Sequence, residues 1–226
     1  MDNVYVVSAV RTAVGKSRAG SAIAHVRPDD LAKVAIKEAV KRSGIPAEEI
    51  QDVAMGCAFP EAEAGMNVAR IALMAAGLPD TIPGETVNRF CSSGLETMAT
   101  VAAKIECGML DCALAGGLES MSVIPMGGNK TCPNPGLVEE NPRAYTAMGQ
   151  CADNVANDFN ITREECDELG ARSNQLACKA IEEGKFKEQI VPLEVKAPDG
   201  STYTFDTDEG PRPGTTPETL SKLRLA

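Results

Sequence analysis

The sequence is poor in aromatic residues and in histidine. It contains no tryptophan, aromatic residues make up 4% of its 226 positions, and His25 is its one histidine. We therefore expect a core built from aliphatic side chains and methionine. Because no Cys-x-x-Cys pair accompanies the lone histidine, we expect no zinc cluster and no other metal site.

Long apolar runs and an excess of positive charge are also missing. No stretch reaches the ~18 consecutive apolar residues that a membrane-spanning helix needs, so we expect no membrane partner. The 22 Lys and Arg residues are outnumbered by 32 Asp and Glu residues, which gives a formal net charge of −10. This balance argues against nucleic acid as a partner, because phosphate contacts need clustered basic side chains.

The eight cysteines are dispersed along the chain. The first residues lack the basic and then apolar layout of a secretion signal. Dispersed cysteines in such a chain are typical of free thiols in a reducing compartment, so we predict a cytoplasmic location. On burial habits alone we expect Cys57, Cys107 and Cys112 to be small apolar core residues.

Strand-like and helix-like segments alternate through the first half of the chain. This alternation predicts an α/β fold with crossover connections. The predicted strands cover 3–10, 51–58, 85–90 and 111–117, and the predicted helices cover 28–43, 66–76 and 91–107. After residue 122, prolines and glycines interrupt regular structure. The prediction is completed by two helices over 145–158 and 162–183, a hairpin over 190–196 and 201–206, and a loop from 208.

Cys91 is the candidate nucleophile. It is predicted to open the helix over 91–107, which is apolar on more than one side and is therefore expected to be buried, as is the strand over 3–10. The first turn of a helix carries unpaired N–H groups and the positive end of the helix dipole. A thiol held there is favoured as the thiolate, which is the nucleophilic form. Since a cysteine at a helix start can also be structural, spacing alone leaves both roles open.

Six stretches carry recognisable motifs in order along nearly the whole chain. They are Val6–Thr12 (VVSAVRT), Arg27–Leu31 (RPDDL), Glu85–Leu95 (ETVNRFCSSGL), Ala115–Ser122 (AGGLESMS), Met148–Ala156 (MGQCADNVA) and Asp208–Thr216 (DEGPRPGTT). Together these stretches resemble the thiolase family. Six collinear motifs are more specific than one cysteine at a helix start.

The resemblance implies a layered α/β fold with a mixed sheet and crossover helices. It implies an amino-terminal core domain over 1–121 and an incomplete loop domain over 122–226 that contacts coenzyme A. The carboxy-terminal half of the family's fold is absent, and with it the Gly-His-Pro and Cys-x-Gly-Gly-Gly motifs that supply the base and the acid. We therefore expect the isolated chain to be inactive, and the complete protein to be a homodimer or homotetramer.

The resemblance also implies a mechanism and its residues. Cys91 is the nucleophile that forms an acyl-cysteine intermediate, Met148 lines the pantetheine channel, and Arg212 lies near the adenine nucleotide of coenzyme A. Coenzyme A and acyl-CoA are the expected partners, and no tightly bound cofactor is expected. Glu119 is expected to be structural near the site. His25 falls in a stretch that resembles a surface connection, so we do not expect it to be the base.

Several alternatives remain open at this stage. Met148 can be a core methionine, Arg212 a solvated loop residue, and Arg89 a salt-bridged residue that does not activate the thiol. The chain can also be a non-catalytic module that binds acyl-CoA or serves assembly, or one half of a split thiolase. A decarboxylating condensing enzyme with a cysteine nucleophile is a third hypothesis, against which the AGGLESMS string argues.

Overall fold

The computed structural model describes residues 3–224, which form two compact units. The first unit comprises residues up to 129 together with 187–209, and the second comprises 130–186 and the residues from 210 onward. These units divide the chain differently from the predicted boundary between residues 121 and 122. The first unit continues past residue 121 to residue 129. It also includes the later segment 187–209, which contains the hairpin.

The first unit is built around a three-stranded parallel sheet. Its elements are β1 (Arg11–Thr12), α1 (Pro28–Ser43), β2 (Val53–Gly56), α2 (Val68–Ala75), β3 (Gly84–Val87), α3 (Ser93–Glu106), β4 (Leu114–Gly117), β5 (Ile190–Val191), β6 (Leu193–Lys196) and β7 (Thr202–Phe205). β2 lies between β3 and β4 and pairs with both in parallel. β1 pairs with β5 in parallel, and β6 and β7 form an antiparallel hairpin.

Helices cover both faces of this sheet. All four residues of β2 are buried, as expected for a central strand. Val53 and Met55 belong to the core cluster that α1 and α2 complete, whereas Gly56 faces the first turn of α3. Successive residues of a strand point to opposite faces, so α1 and α2 lie on one face and α3 on the other. The predicted α/β fold with crossover helices is therefore confirmed.

Local sequence signals account for the ends of two helices. α1 has Pro28 at its start, acidic Asp29 and Asp30 in its first turn, and Gly44 at its carboxyl end with a φ of 69°. These are the preferred residues for a helix start and for a left-handed helix end. In the helix at 163–182, Thr162 accepts a hydrogen bond from the Glu165 N–H and Glu165 accepts one from the Thr162 N–H, as the predicted capping box requires.

The expectation that residues 3–10 form a buried strand was wrong. Strand pairing begins only at Arg11, and the side chains of Tyr5 and Val6 are 74% and 72% exposed. Their β-branched and aromatic composition favours an extended chain, but a strand also needs a neighbouring strand. Within residues 3–224, no strand pairs with 4–7.

The expectation that α3 is buried on several sides was also wrong. Its buried residues, Ser93, Thr97 and Val101, form one face. Leu95 is 70% exposed and Met98 is largely exposed on the rest of the helix surface. Only one sheet face of the first unit packs against α3, so the remaining apolar surface of this helix is open to solvent.

The second unit is helical. It contains α4 (Pro135–Glu140), α5 (Met148–Asp158), α6 (Arg163–Glu182) and α7 (Pro217–Leu220). Arg163 ties α6 to α7 by donating a hydrogen bond to the Leu220 carbonyl at 2.7 Å. Within residues 3–224, no helix combines the length and the apolar character needed to cross a membrane.

Candidate active site

Cys91 lies in the turn that joins β3 to α3. The thiol is exposed, and the helix begins two residues later, at Ser93, with Ser92 as its N-cap. The predicted helix start at Cys91 is therefore early by two residues. The residue nevertheless lies just before the amino-terminal end of a 14-residue helix and four residues after the last residue of β3.

The turn has an unusual backbone conformation at Phe90. Its φ of 46° is in the left-handed region, which costs a non-glycine residue about 1–2 kcal/mol. Ser93 holds the turn from the helix side, because its Oγ accepts a hydrogen bond from the Arg89 N–H at 2.8 Å and donates one to the Phe90 carbonyl at 2.5 Å. The Ser92 hydroxyl also donates backward, to the Arg89 carbonyl. The two serines therefore stabilise the turn, and the N-cap Ser92 makes no capping hydrogen bond through its side chain.

Glycines allow α3 to approach the sheet at backbone distance. A Cβ at Gly56 would lie 2.4 Å from the carbonyl carbon of Ser93, and one at Gly117 would lie 3.4 Å from the Cα of Gly94. Thr97 is fully buried and donates a hydrogen bond to the Gly116 carbonyl at 2.9 Å. The mouth of α3 is therefore fixed directly above the carboxyl edge of the sheet, the edge at which α/β proteins bind ligands.

Arg89 and His25 each have a partner other than Cys91. Arg89 forms a bidentate ion pair with Glu96 of α3, with N–O distances of 2.8 and 3.0 Å. This pairing favours the salt-bridged role for Arg89. His25 Nε2 lies 3.0 Å from the Lys196 carbonyl oxygen in the hairpin. Within residues 3–224, no imidazole or amine forms a hydrogen bond with the Cys91 thiol.

A second thiol, Cys57, follows β2 at the same edge of the sheet but is buried. Burial, followed by the carboxylate of Glu119, raises the pKa of the Cys57 thiol to about 11. The thiol donates to Glu119 Oε1 at 3.7 Å, and Glu119 Oε2 accepts the Ala58 N–H at 2.7 Å. Cys57 is thus the core residue that the sequence predicts, and Glu119 has a structural role beside the turn. Cys107 is exposed, so its predicted burial was wrong.

Met148 and Arg212 belong to the second unit. Met148 is the first residue of α5 and its side chain is 70% exposed, so it is not a core methionine. Arg212 lies in the loop before α7, where its N–H donates to Asn174 Oδ1 at 3.0 Å. It borders a cavity of about 520 Å³ that is lined by Asn174, Gly210, Arg212, Pro213, Gly214, Thr215, Thr219, Leu220 and Leu223. Met148 does not line this cavity.

The described residues contain no cluster that fits a metal ion. Among residues 3–224, no group of three His, Cys, Asp or Glu side chains is arranged as metal ligands. All eight cysteines are free thiols. Four of them are exposed, namely Cys91, Cys107, Cys132 and Cys166.

The chain is similar in sequence to known proteins. The sequence matches the family described as Thiolase, N-terminal domain, over residues 4–226. A 3-ketoacyl-CoA thiolase of Bacillus subtilis (strain 168) is 48% identical, over 100% of this chain and 60% of that protein. A beta-ketoadipyl-CoA thiolase of Pseudomonas aeruginosa is 40% identical, over 98% of this chain and 59% of that protein.

A solved structure is similar to this chain in fold as well as in sequence. The crystal structure of the Bacillus anthracis acetyl-CoA acetyltransferase superposes with a TM-score of 0.84 at 36% identity, covering 98% of this chain and 58% of the other. The chain thus spans about 60% of the length of the curated relatives it matches. The sequence matches and the structural match each cover at least 98% of this chain. Both align the chain with the amino-terminal portion of these proteins. The chain therefore belongs to the thiolase family, as the amino-terminal portion of such a protein.

Proposed function

We propose that this chain carries the nucleophile of a CoA-dependent acyltransferase that acts on 3-ketoacyl-CoA. The observation that carries the proposal is the placement of an exposed thiol, Cys91, at the mouth of α3 and at the carboxyl edge of the sheet. An exposed thiol held on a hydrogen-bonded turn is suited to covalent catalysis.

In the proposed reaction, the Cys91 Sγ attacks the 3-keto carbon and forms a carbon–sulfur bond. The bond between C2 and C3 then breaks, and its electron pair leaves with acetyl-CoA as an enolate that takes up a proton. The thiolate of free CoA attacks the resulting thioester, receives the acyl group and restores the Cys91 thiolate. The backbone N–H of Cys91 is the proposed donor to the oxyanion, because among residues 3–224 no acceptor bonds it, whereas the N–H groups of Ser92 and Ser93 donate to the Arg89 and Phe90 carbonyls.

The base and the acid of this reaction are proposed to lie outside the chain. No described residue hydrogen-bonds the Cys91 thiol, and the relatives extend well beyond the portion matched here. We expect the Gly-His-Pro and Cys-x-Gly-Gly-Gly motifs of the family to supply these groups. The chain alone should therefore show negligible turnover.

Met148 and Arg212 are proposed to bind coenzyme A. Arg212 borders the 520 Å³ cavity, and among residues 3–224 no carboxylate forms an ion pair with it. A guanidinium in this state is suited to phosphate, which it can bind through two parallel hydrogen bonds. The exposed Met148 offers a flexible apolar surface to a pantetheine arm.

The preferred substrate class follows from the similarities. The Bacillus subtilis 3-ketoacyl-CoA thiolase is 48% identical to this chain, and an acetyl-CoA acetyltransferase of Thiocystis violacea is 36% identical. We therefore favour 3-ketoacyl-CoA substrates over acetoacetyl-CoA alone. Eight free thiols support a reducing compartment such as the cytoplasm. A homodimer or homotetramer is proposed for the complete protein.

The proposal is tested by complementing the chain with the missing part of a relative. The 226-residue chain is co-expressed with the portion of the Bacillus subtilis relative that it does not match, and thiolysis of acetoacetyl-CoA is measured. We expect no turnover from the chain alone, turnover from the pair, and none from the pair carrying Cys91→Ala. Cys166→Ala is the matched control, because Cys166 is an exposed thiol in the first helical turns of α6.

Mass mapping after an acid quench locates the intermediate. One acetyl group on Cys91, after incubation of the pair with acetyl-CoA, supports the proposal. Binding of acyl-CoA without any thioester would favour a non-catalytic module. An acetyl group on another cysteine, or full turnover from Cys91→Ala, would refute the assignment of the nucleophile.

A further inference from the structure

The side chain of Asn88 connects two parts of the candidate site. Asn88 follows the last residue of β3, and its Nδ2 donates a hydrogen bond to the Ala58 carbonyl at 3.0 Å. Its Oδ1 accepts a hydrogen bond from the Phe90 N–H at 2.9 Å. One amide group thus joins the chain that leaves β2 to the turn that presents Cys91.

These contacts bear on the thiol because one of them holds Phe90, the residue before Cys91. Phe90 directly precedes Cys91 and has the left-handed φ of 46°. A non-glycine residue keeps such a conformation only where its surroundings hold it. Ser93 holds the turn from the helix side, and Asn88 holds it from the sheet side. If the Asn88 side chain were removed, the turn would lose the side-chain hydrogen bond that holds it to the sheet.

The other end of the Asn88 bridge is itself fixed. The Ala58 N–H donates to Glu119 Oε2 at 2.7 Å, and the neighbouring Cys57 N–H donates to the Val87 carbonyl at 3.0 Å. Ala58 therefore cannot follow the turn if the turn moves. A continuous series of hydrogen bonds runs from Glu119 after β4, through Ala58 after β2, to the turn after β3.

The chemistry of this bridge is specific to an amide. It needs a donor toward a carbonyl and an acceptor toward an N–H, and asparagine supplies both from one short side chain. An aspartate would supply acceptors only and would direct a negative charge at the Ala58 carbonyl. A serine could still accept from the Phe90 N–H but is too short to reach both partners.

We propose that Asn88 is a positioning residue for Cys91, which holds the thiol at the mouth of α3 by fixing the turn at Phe90 to the end of β2. Asn88 does not touch the reacting atoms and acts through the backbone of the turn. The catalytic meaning of this inference rests on the proposed function, whereas its effect on the thiol can be measured without any turnover.

The first test measures thiol reactivity in the folded 226-residue chain. The rate of Cys91 alkylation by iodoacetamide is measured by peptide mapping, relative to Cys166 in the same molecules. We expect Asn88→Ala to lower this ratio about fivefold, the equivalent of one hydrogen bond, because the released turn no longer presents the thiol in one fixed, exposed position. Asn88→Ser keeps an acceptor for the Phe90 N–H, so its alkylation ratio should lie between those of the unaltered chain and Asn88→Ala.

Asn67 offers a matched control. Its Nδ2 donates to the Gly84 carbonyl and its Oδ1 accepts from Thr86 Oγ1, both at 2.8 Å. It is thus another amide bridge, but its two contacts are with β3 and not with the turn. Asn67→Ala should destabilise the fold and leave the ratio of Cys91 to Cys166 within about twofold of the unaltered chain. An equal fall in Asn67→Ala and Asn88→Ala would refute the inference.

The second test separates this inference from the proposed function. In the complemented enzyme, Asn88→Ala should lower kcat with little change in KM for CoA, because binding groups are untouched. An altered alkylation ratio without any turnover from the unaltered pair would refute the proposed function and support the positioning role. Full turnover and an unchanged ratio in Asn88→Ala would refute the positioning role alone.

Discussion

Gly56 is the residue at which one added methyl group should disturb the candidate site most directly. It ends β2, and a Cβ built there would lie 2.4 Å from the Ser93 carbonyl carbon and 2.5 Å from the Gly94 nitrogen. Both atoms belong to the backbone of the first turn of α3. No rotation of a side chain can relieve such a contact, so Gly56→Ala forces the helix and the sheet apart.

The size of the effect follows from these distances. Ordinary contact with a Cβ begins at 3.4 Å, so the first turn of α3 must retreat by roughly 1 Å in a close-packed interior. The hydrogen bond from Thr97 to the Gly116 carbonyl, 2.9 Å long, would be stretched by the same movement. We expect Gly56→Ala to lower the free energy of unfolding by about 2–3 kcal/mol, the upper range for overpacking. A shift of this size at a catalytic group typically costs about 100-fold in rate, which the complemented enzyme would report.

Two other glycines serve as graded controls in urea unfolding followed by circular dichroism. A Cβ at Gly116 would lie 3.2 Å from the Met55 sulfur, which is part of a flexible side chain that can move away. A Cβ at Gly149 in α5 would meet nothing within 4 Å. Gly116→Ala should cost less than about 1 kcal/mol, and Gly149→Ala should be neutral or slightly stabilising. The reasoning would be refuted if the free energy of unfolding of Gly56→Ala were within about 0.5 kcal/mol of that of the unaltered chain.

Two further predictions concern titratable groups. Arg11 donates hydrogen bonds of 2.8 and 2.9 Å to Asp208 and thereby lowers the pKa of that carboxyl below 3.8. A carboxyl with a lowered folded pKa stabilises the fold above about pH 4, and that contribution disappears as the pH falls through the folded pKa. Asp208→Asn should therefore be less stable than the unaltered chain near neutral pH and lose less additional stability in acid. If urea unfolding gave both proteins the same decrease in the free energy of unfolding as the pH falls, this prediction would be contradicted. Because burial and then Glu119 raise the pKa of Cys57 to about 11, Cys57 should resist iodoacetamide in the folded chain and react only in urea. Labelling of folded Cys57 as fast as Cys166 would overturn that expectation.

Elements with local signals could be predicted from the sequence almost to the residue. α1 covers Pro28–Ser43, the predicted range, because proline, acidic residues and a final glycine mark both of its ends. The capping box at Thr162 likewise marks the start of α6. Strand bounds were less accurate, since β2 covers only Val53–Gly56 of the predicted 51–58. Ladder pairing, which the sequence does not display, decides where a strand ends.

Burial could not be predicted where it depends on a neighbour. Tyr5 and Val6 have the composition of a buried strand, and Leu95 has that of a buried helix face, yet all three are exposed. Hydrophobic pattern reports which surface a segment can bury, while the partner that covers it is a separate fact of the fold.

The candidate nucleophile could be predicted from the sequence, but its support could not. Cys91 was found from its place after a strand and before an apolar helix. Gly56 carried a usable signal, because a glycine within a strand pattern often marks a close backbone approach. The left-handed Phe90 carried none, since phenylalanine is not a residue that prefers this conformation. The role of Asn88 became visible only when its two partners, 30 residues and two residues away, were known.

A cysteine that transfers acyl groups has to meet two opposing demands, because it must be open to a large substrate and yet remain in place. Here the two demands fall on different residues. Cys91 is exposed, while Ser93, which holds its turn from the helix side, and Thr97, which fixes the helix to the sheet, are only 3% and 0% exposed. Strain at Phe90 is tolerated because hydrogen bonds from both sides over-determine the turn. Contacts within this chain thus hold the turn that carries the proposed nucleophile.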